Sequence, residues 1–107
     1  LLDRKKDIIV SGGENVYSPE VEDVVRELPE IQACAVVGAP DERWGETVCA
    51  VVVIRPGASL TLSALQTHVR SRLGGFKVPR RLEIVDELPL LATGKVDKKR
   101  LRARISV

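Results

Sequence analysis

The stretch that decides the fold is residues 31–54, IQACAVVGAPDERWGETVCAVVVI. Two apolar runs, 31–40 and 47–54, are rich in Val, Ile and Ala, and they flank the polar segment DERWGE. Both runs are too continuously apolar for strands that expose one face to water, and β-branched residues favour strands. We therefore predict two neighbouring central strands of one sheet.

On the N-terminal side of this stretch, the pattern predicts a β-hairpin followed by a helix. Short β-prone runs at 8–10 and 15–17 flank the Gly-Gly pair of SGGEN, which is typical of a hairpin turn. We expect Ser18 to cap the next helix, Pro19 to occupy its first position and Pro29 to end it. The apolar residues of this helix fall on one face: Val21, Val24, Val25 and Leu28.

On the C-terminal side, the pattern predicts a helix, a strand and a last helix. The segment SLTLSALQTHVRSRLGG (59–75) has helical periodicity and is expected to end at Gly74. A third strand is predicted at 82–85, and Asp97 is a plausible cap for the basic helix VDKKRLRARI, with Leu101 and Ile105 facing inward. The predicted fold is α+β: an N-terminal β-hairpin plus a three-stranded central sheet packed with three helices.

Composition indicates one small domain without a membrane span. The chain has 107 residues, is 44% hydrophobic, and contains no apolar run of transmembrane length. It shows no signal peptide and begins without Met, so we expect either the end of a longer protein or a trimmed piece of one, in the cytoplasm.

Charge is distributed unevenly along the chain. Residues 1–67 hold six Lys or Arg against eleven Asp or Glu, whereas residues 68–107 hold eleven against four. The C-terminal part is therefore more favourable for an anion, although a solvated basic helix without a ligand would give the same balance.

The two cysteines favour burial over chemistry. Cys34 and Cys49 both lie in apolar runs and lack the CxxC spacing of a zinc site. We predict buried free thiols and no metal site.

The segment TGK (93–95) invites a phosphate-binding interpretation. A Walker A loop needs a glycine five residues before its Gly-Lys pair and a Ser or Thr after it, but the chain has Pro89 and Val96 there. A Walker A motif is therefore rejected. Lys95 could still place a mobile ammonium group on a phosphate or carboxylate, or it could be a surface lysine.

Four motifs together resemble one protein family. DRKKDIIVSGGENVYSPEVE (3–22), DERWGE (41–46), FKVPRR (76–81) and LPLLATGK (88–95), with a basic helix after the last, are similar to the C-terminal domain of adenylate-forming enzymes. This superfamily includes acyl-CoA synthetases, peptide-synthetase adenylation domains and luciferases, and the resemblance covers essentially the whole chain. It implies a lid, residues 7–107, that follows a hinge, residues 1–6, and closes on a large N-terminal domain.

The resemblance also implies an activity and its substrates. Such enzymes join a carboxylic acid to ATP, giving acyl-AMP and pyrophosphate, and then transfer the acyl group to CoA after the lid rotates. Mg²⁺ and the substrates would be bound mainly by or with the N-terminal domain. By position, Lys95 matches the catalytic lysine of adenylation, Lys6 matches the hinge, and Arg4 matches an arginine near the nucleotide ribose.

Further positions match the path of CoA. Gly12, Gly13, Glu14 and Asn15 correspond to a loop that lines the pantetheine tunnel, and bare glycine backbone lets a thin thiol-bearing arm pass. Residues that correspond to contacts with the CoA nucleotide are Trp44, Phe76, Lys77 and Arg80. From the sequence alone, Trp44 could equally cap the core.

The motifs SGGENVYSPEVE and RWGE favour acyl-CoA synthetases of the fatty or aromatic acid type over peptide-synthetase domains. One departure is Leu90-Leu91, where relatives more often place a basic and a polar residue. Two alternatives stay open: an adenylation domain that loads a carrier protein, and a small basic RNA-binding domain. The second is disfavoured because the central strands lack the exposed aromatics on which bases stack, and we expect no nucleic-acid partner.

Overall fold

In the computed structural model, which describes residues 8–105, a five-stranded sheet packs against three helices. The strands are β1 (Ile8–Ser11), β2 (Glu14–Tyr17), β3 (Ile31–Asp41), β4 (Gly45–Ile54) and β5 (Arg81–Ile84). The helices are α1 (Ser18–Val25), α2 (Leu62–Arg70) and α3 (Lys98–Ile105), with a short 3-10 helix at Gly75–Lys77. The predicted α+β class, hairpin and three helices are confirmed. No helix within 8–105 is long and apolar enough to cross a bilayer.

Both faces of the sheet are covered, which explains the continuous apolar runs of β3 and β4. Successive side chains of a strand point to opposite faces, so each strand contributes to two separate cores. Val36 and Val52 lie in the core formed with α1 and α2, whereas Val37 and Val51 lie in the core formed with α3. The two strands pair antiparallel as predicted neighbours, with Val36 opposite Ala50.

The description of both strands as central is wrong for β3. The pairing order is β2-β1-β4-β3, and β5 runs parallel to β4. Because β3 occupies one edge of β4, the other edge receives β5 and also the hairpin, through the pair Ser11 and Gly45. An edge strand such as β3 leaves backbone N–H and C=O groups without a partner strand. At this edge the N–H of Val36 donates instead to the carboxylate of Glu22 at 2.8 Å.

Three predicted helix ends are also wrong. Ser18 does not cap α1: it is the first helical residue, and its hydroxyl is the partner of the Lys98 ammonium group. The helix ends at Val25, before Pro29 is reached. Gly74 does not close α2, which ends at Arg70. The φ of Gly74 is −65°, which is not left-handed, and Gly74 directly precedes the 3-10 helix.

The two cysteines are buried free thiols, as predicted. Cys34 lies in the core on the α1 and α2 side, and Cys49 lies in the core on the α3 side, so the sheet separates them. Burial raises the pKa of Cys34 from 9.0 to about 11 and that of Cys49 to about 12. A protonated thiol is a poor nucleophile, so neither is a candidate for catalysis.

Candidate functional site

Lys95 lies on an exposed hairpin between β5 and α3. Leu90 pairs with Val96, the Leu91 N–H donates to the Lys95 carbonyl at 2.7 Å, and the Gly94 N–H donates to the Leu91 carbonyl at 2.9 Å. Gly94 has φ +89°, a conformation that favours glycine over other residues, so the turn itself requires the glycine before Lys95. Lys95 is exposed and makes no ion pair or hydrogen bond through its ammonium group with residues 8–105. It is therefore available to an anion.

The base of this hairpin is fixed by hydrogen bonds and core packing, whereas its tip is exposed. The Asp97 N–H donates to the Pro89 carbonyl at 2.8 Å, and the Asp97 carboxylate accepts from the Arg100 N–H at 3.1 Å. Asp97 therefore caps α3, as predicted. Leu88 and Val96 pack against the core on the α3 side, whereas Leu90 and Leu91 at the tip are 60% and 47% exposed.

A second cluster joins residues from three separate segments: Gly12, Trp44 and Arg80. Gly12 and Gly13 have φ of +59° and +84°, as a type I′ hairpin turn requires. The Gly12 N–H donates to the Trp44 carbonyl at 2.9 Å, and a Cβ at Gly12 would lie 2.5 Å from Trp44 Cε3. The Arg80 guanidinium lies 4.1 Å from the centroid of the half-buried Trp44 ring.

This geometry refines the hypothesis of an open aromatic platform at Trp44. The ring contacts the hairpin turn and a guanidinium group, and Arg43 also lies 5.5 Å from its centroid. An incoming adenine would therefore stack on the Arg80 guanidinium or displace it. The two guanidinium groups, of Arg43 and Arg80, lie beside the Trp44 ring and could both bind a polyphosphate.

The other predicted CoA residues border this cluster in sequence but have different partners. Phe76 is 44% exposed on the 3-10 helix, and the Lys77 ammonium lies 5.6 Å from its ring centroid. Lys77 also pairs with the carboxylate of Glu20 in α1 at 2.5 Å. Glu14 and Asn15 are exposed in β2, beside the glycine turn.

The structure separates the Lys95 hairpin from the Trp44 cluster. β5 runs parallel to β4 and ends with Ile84 beside Val52, eight residues along β4 from Trp44. At about 3.3 Å per residue, the chain leaves the sheet about 25 Å from Trp44 before it forms the hairpin. No hydrogen bond, ion pair or ring contact among residues 8–105 joins the hairpin to this cluster, so the predicted site residues in that range fall into two groups. Arg4 and Lys6, the predicted nucleotide and hinge residues, lie outside the described residues.

A buried polar contact between Glu22 and Lys98, near the base of the hairpin, is not among the predicted site residues. The Glu22 carboxylate accepts from the Val36 N–H at 2.8 Å and from the Lys98 ammonium at 2.9 Å, and Lys98 also donates to the Ser18 hydroxyl at 2.9 Å. One signal was present in the sequence: Ser18 and Glu22 are four residues apart beside the apolar stripe of α1, so both face its margin. Within 8–105, no three His, Cys, Asp or Glu residues cluster as a metal site would require.

One family model and several curated proteins match the chain. The model for the AMP-binding enzyme C-terminal domain matches residues 20–95. The chain is 49% identical to the medium/long-chain-fatty-acid–CoA ligase FadD8 of Mycobacterium tuberculosis, over 97% of the chain and 19% of that protein. It is 46% identical to a feruloyl-CoA synthase of an Amycolatopsis species, over 97% of the chain and 21% of that protein.

Solved structures of similar proteins share the fold. The amide bond synthetase McbA from Marinactinospora thermotolerans matches with a TM-score of 0.88 and 46% identity, over 97% of this chain and 21% of that one. A Mycobacterium tuberculosis fatty acyl CoA synthetase matches with a TM-score of 0.89 and 38% identity, over 97% of this chain and 20% of that one. The chain spans about one fifth of the length of these proteins.

Proposed function

Because the chain belongs to the family of AMP-binding enzyme C-terminal domains, we propose that it is the lid of an AMP-forming acid–thiol ligase. The whole enzyme joins a carboxylic acid to ATP and then transfers the acyl group to CoA. The observation that supports this most directly is the exposed Lys95, without an ion-pair partner among 8–105, on a hairpin shaped by Gly94.

Lys95 acts in the first reaction. The carboxylate attacks the α-phosphorus of ATP, the bond to the bridging oxygen breaks, and pyrophosphate leaves. Negative charge gathers on the α-phosphoryl oxygens while the anionic nucleophile approaches, so a fixed cation beside both stabilises the transition state. An ammonium group on a short hairpin supplies this charge as a point cation.

The Gly12 and Trp44 surface acts in the second reaction. The thiol of CoA attacks the acyl carbon of the adenylate, loses its proton and expels AMP. The bare backbone of Gly12 and Gly13 leaves room for the pantetheine arm. Trp44 and Arg80 then contact the CoA nucleotide, with Phe76 and Lys77 as neighbouring contacts.

The remaining parts of the proposal concern the rest of the enzyme. Residues 1–6 form the hinge to an N-terminal domain, with Lys6 as the pivot and Arg4 near the nucleotide ribose, and residues 7–107 form the lid. Mg²⁺ is held by or with the N-terminal domain. The enzyme is cytoplasmic and acts on a fatty or aromatic acid.

The test is Lys95→Ala in the intact enzyme that contains this chain, with the two half-reactions measured separately. Pyrophosphate release from acid and ATP should fall about 10²–10³-fold, the loss typical of one transition-state donor. Thioester formation from supplied acyl-AMP and CoA should be largely retained. Lys99→Ala is the matched control, since it removes an exposed lysine four residues away. Equal activity of both variants in adenylation would remove the assignment of Lys95.

One observation favours a second candidate, an enzyme that makes amides from acyl-adenylates. The chain is as similar to the amide bond synthetase McbA as to the feruloyl-CoA synthase, at 46% identity in both cases. Supplying the intact enzyme with acid and ATP, and then with CoA or a primary amine, distinguishes the two. Amide formation without thioester formation would favour the second candidate.

A further inference from the structure

Glu22 is a carboxylate buried at the edge of the sheet. Only 7% of the residue is exposed, yet one of its oxygens, Oε2, meets two donors: the Val36 N–H at 2.8 Å and the Lys98 ammonium at 2.9 Å. The Arg26 guanidinium lies 3.8 Å from the other oxygen, Oε1, so loss of Lys98 would leave the Glu22 charge with this more distant and more exposed partner. Weakening a buried charge pair in this way is unfavourable. The three groups therefore hold each other in one geometry.

The contact connects two helices and the edge strand of the sheet. Glu22 belongs to α1, Val36 to the edge strand β3, and Lys98 is the first residue of α3. The helices α1 and α3 pack on opposite faces of the sheet, so the Glu22 and Lys98 pair reaches around the edge of β3. Lys98 also donates to the Ser18 hydroxyl at 2.9 Å, which adds a second bond to α1.

Lys98 lies three residues after Lys95, at the end of the same hairpin. The tip of this hairpin exposes Leu90 and Leu91, and its internal bonds define its shape but not its direction relative to the sheet. Direction is set by the packing of Leu88 and Val96 against the core and by the point where the hairpin joins α3. The first turn of α3 is fixed there by the Asp97 cap and by the buried contact of Lys98.

We propose that Glu22 and Lys98 are positioning residues for Lys95: their buried ion pair fixes the start of α3 to α1 and β3, and so aims the Lys95 ammonium group. The inference rests on the proposed function of Lys95. A displacement of about 1 Å at a reacting centre can lower a rate about 100-fold, so loss of this contact should be visible in adenylation.

The experiment is a double-mutant cycle in the intact enzyme, with Lys98→Met, Lys95→Ala and the double variant. We expect Lys98→Met to lower kcat for adenylation about 10–100-fold with KM for acid and ATP little changed. In the Lys95→Ala background, Lys98→Met should cause no further loss, because there is no ammonium group left to aim. Lys98→Arg, which keeps a cation at the position, should retain most of the activity.

Controls separate positioning from general destabilisation. Arg72→Met removes the 2.8 Å pair between Arg72 and Glu27, which joins the segments that follow α2 and α1 without touching the hairpin, and it should leave adenylation unchanged. Thermal unfolding is measured for every variant. If Lys98→Met does not fold, Glu22→Gln is used in the same cycle, since its amide oxygen still accepts from the Val36 N–H.

Each outcome is decisive. An equal loss from Lys98→Met with and without Lys95 would overturn the inference, because the effect would then be independent of the lysine. Wild-type adenylation by Lys98→Met would overturn it as well. A Lys95→Ala variant with normal adenylation would instead contradict the proposed function, and the two failures are thereby distinguished.

Discussion

The contact between Gly12 and Trp44 predicts a defect confined to thioester formation when Gly12 is replaced by alanine. Gly12 has φ +59° at the hairpin tip, and its N–H donates to the Trp44 carbonyl at 2.9 Å. These restraints hold the turn against the indole ring. A methyl group at this position therefore cannot be accommodated by a small movement of the backbone alone.

The size of the effect follows from two terms. A left-handed conformation costs an L-residue such as alanine about 1–2 kcal/mol. In addition, the new Cβ would lie 2.5 Å from Trp44 Cε3 and 2.8 Å from Trp44 Cζ3, whereas carbon atoms in contact prefer about 3.5–4.0 Å. The ring must therefore move by about 1 Å, and the Arg80 guanidinium at 4.1 Å from its centroid must follow.

Gly57→Ala is the matched control. Gly57 has φ +81°, and a Cβ there meets no atom within 4 Å, so the substitution adds backbone strain without moving Trp44. Both variants should lose similar stability from strain. In the intact enzyme, only Gly12→Ala should slow thioester formation from supplied acyl-AMP and CoA, by about 10-fold or more if the ring is misplaced by 1 Å. Pyrophosphate release from acid and ATP should be unchanged.

Two results would refute this reasoning. Equal thioester rates for Gly12→Ala and Gly57→Ala would show that the position of Trp44 does not matter to CoA. A loss of adenylation as large as the loss of thioester formation would show that the turn acts on the whole fold. In the 107-residue chain measured by itself, tryptophan fluorescence reports the ring displacement, because Trp44 is its single tryptophan.

Four further predictions concern the fold. Leu101→Ala should lower the free energy of unfolding by about 2–5 kcal/mol in denaturant titration, because Leu101 lies on the buried face of α3 and is only 1% exposed. Thr61→Ala should cost about 0.5–2 kcal/mol, because the Thr61 hydroxyl accepts from the Ala64 N–H at 3.1 Å at the start of α2, and Thr61→Ser should restore most of it. Cys34 and Cys49 should resist a thiol reagent at pH 8 until the protein unfolds, and rapid labelling of the native state would contradict their burial. Folding raises the pKa of Cys34 from 9.0 to about 11 and that of Cys49 to about 12. The contribution of the two protonated thiols to stability is therefore complete below pH 9 and is lost as the pH rises above 9. Unfolding titrations at pH 8 and pH 10 measure this loss.

The strands could be predicted because their signal is local. An apolar residue at every position from Cys34 to Val37 is compatible with a strand only where both faces are buried, and the structure provides a core on each side. The edge position of β3 could not be predicted in this way. It depends on which strand pairs with which, and neither Ser11 nor Arg81 shows in its own sequence context that it will pair with β4.

The candidate site shows the same division. Lys95 stands out in the sequence because a glycine precedes it in a loop, and the structure gives the reason in the φ of +89° at Gly94. The contact of Gly12 with Trp44 joins residues 32 positions apart, and it arises only from the pairing of β1 with the start of β4. The burial of Glu22 could not be predicted either, because it depends on the position of β3, whose Val36 N–H donates to the Glu22 carboxylate.

The rigid sheet constrains how the proposed enzyme can use both surfaces. The Lys95 hairpin is connected to the sheet at two points: through Ile84, which pairs with Val52 of β4, and through Lys98, whose partner Glu22 bonds to Val36 opposite Ala50 of β4. These two β4 positions are eight and six residues from Trp44. At about 3.3 Å per residue, that is about 20–25 Å along a strand buried on both faces. A strand of this kind does not shorten or bend to bring its ends together. If the chain acts as the proposed lid, it must therefore adopt two orientations to bring first Lys95 and then the Gly12 turn to the same acyl-phosphate centre. Lys95→Ala and Gly12→Ala should consequently impair opposite halves of the reaction, and a variant of either residue that impaired both halves equally would contradict a rigid lid.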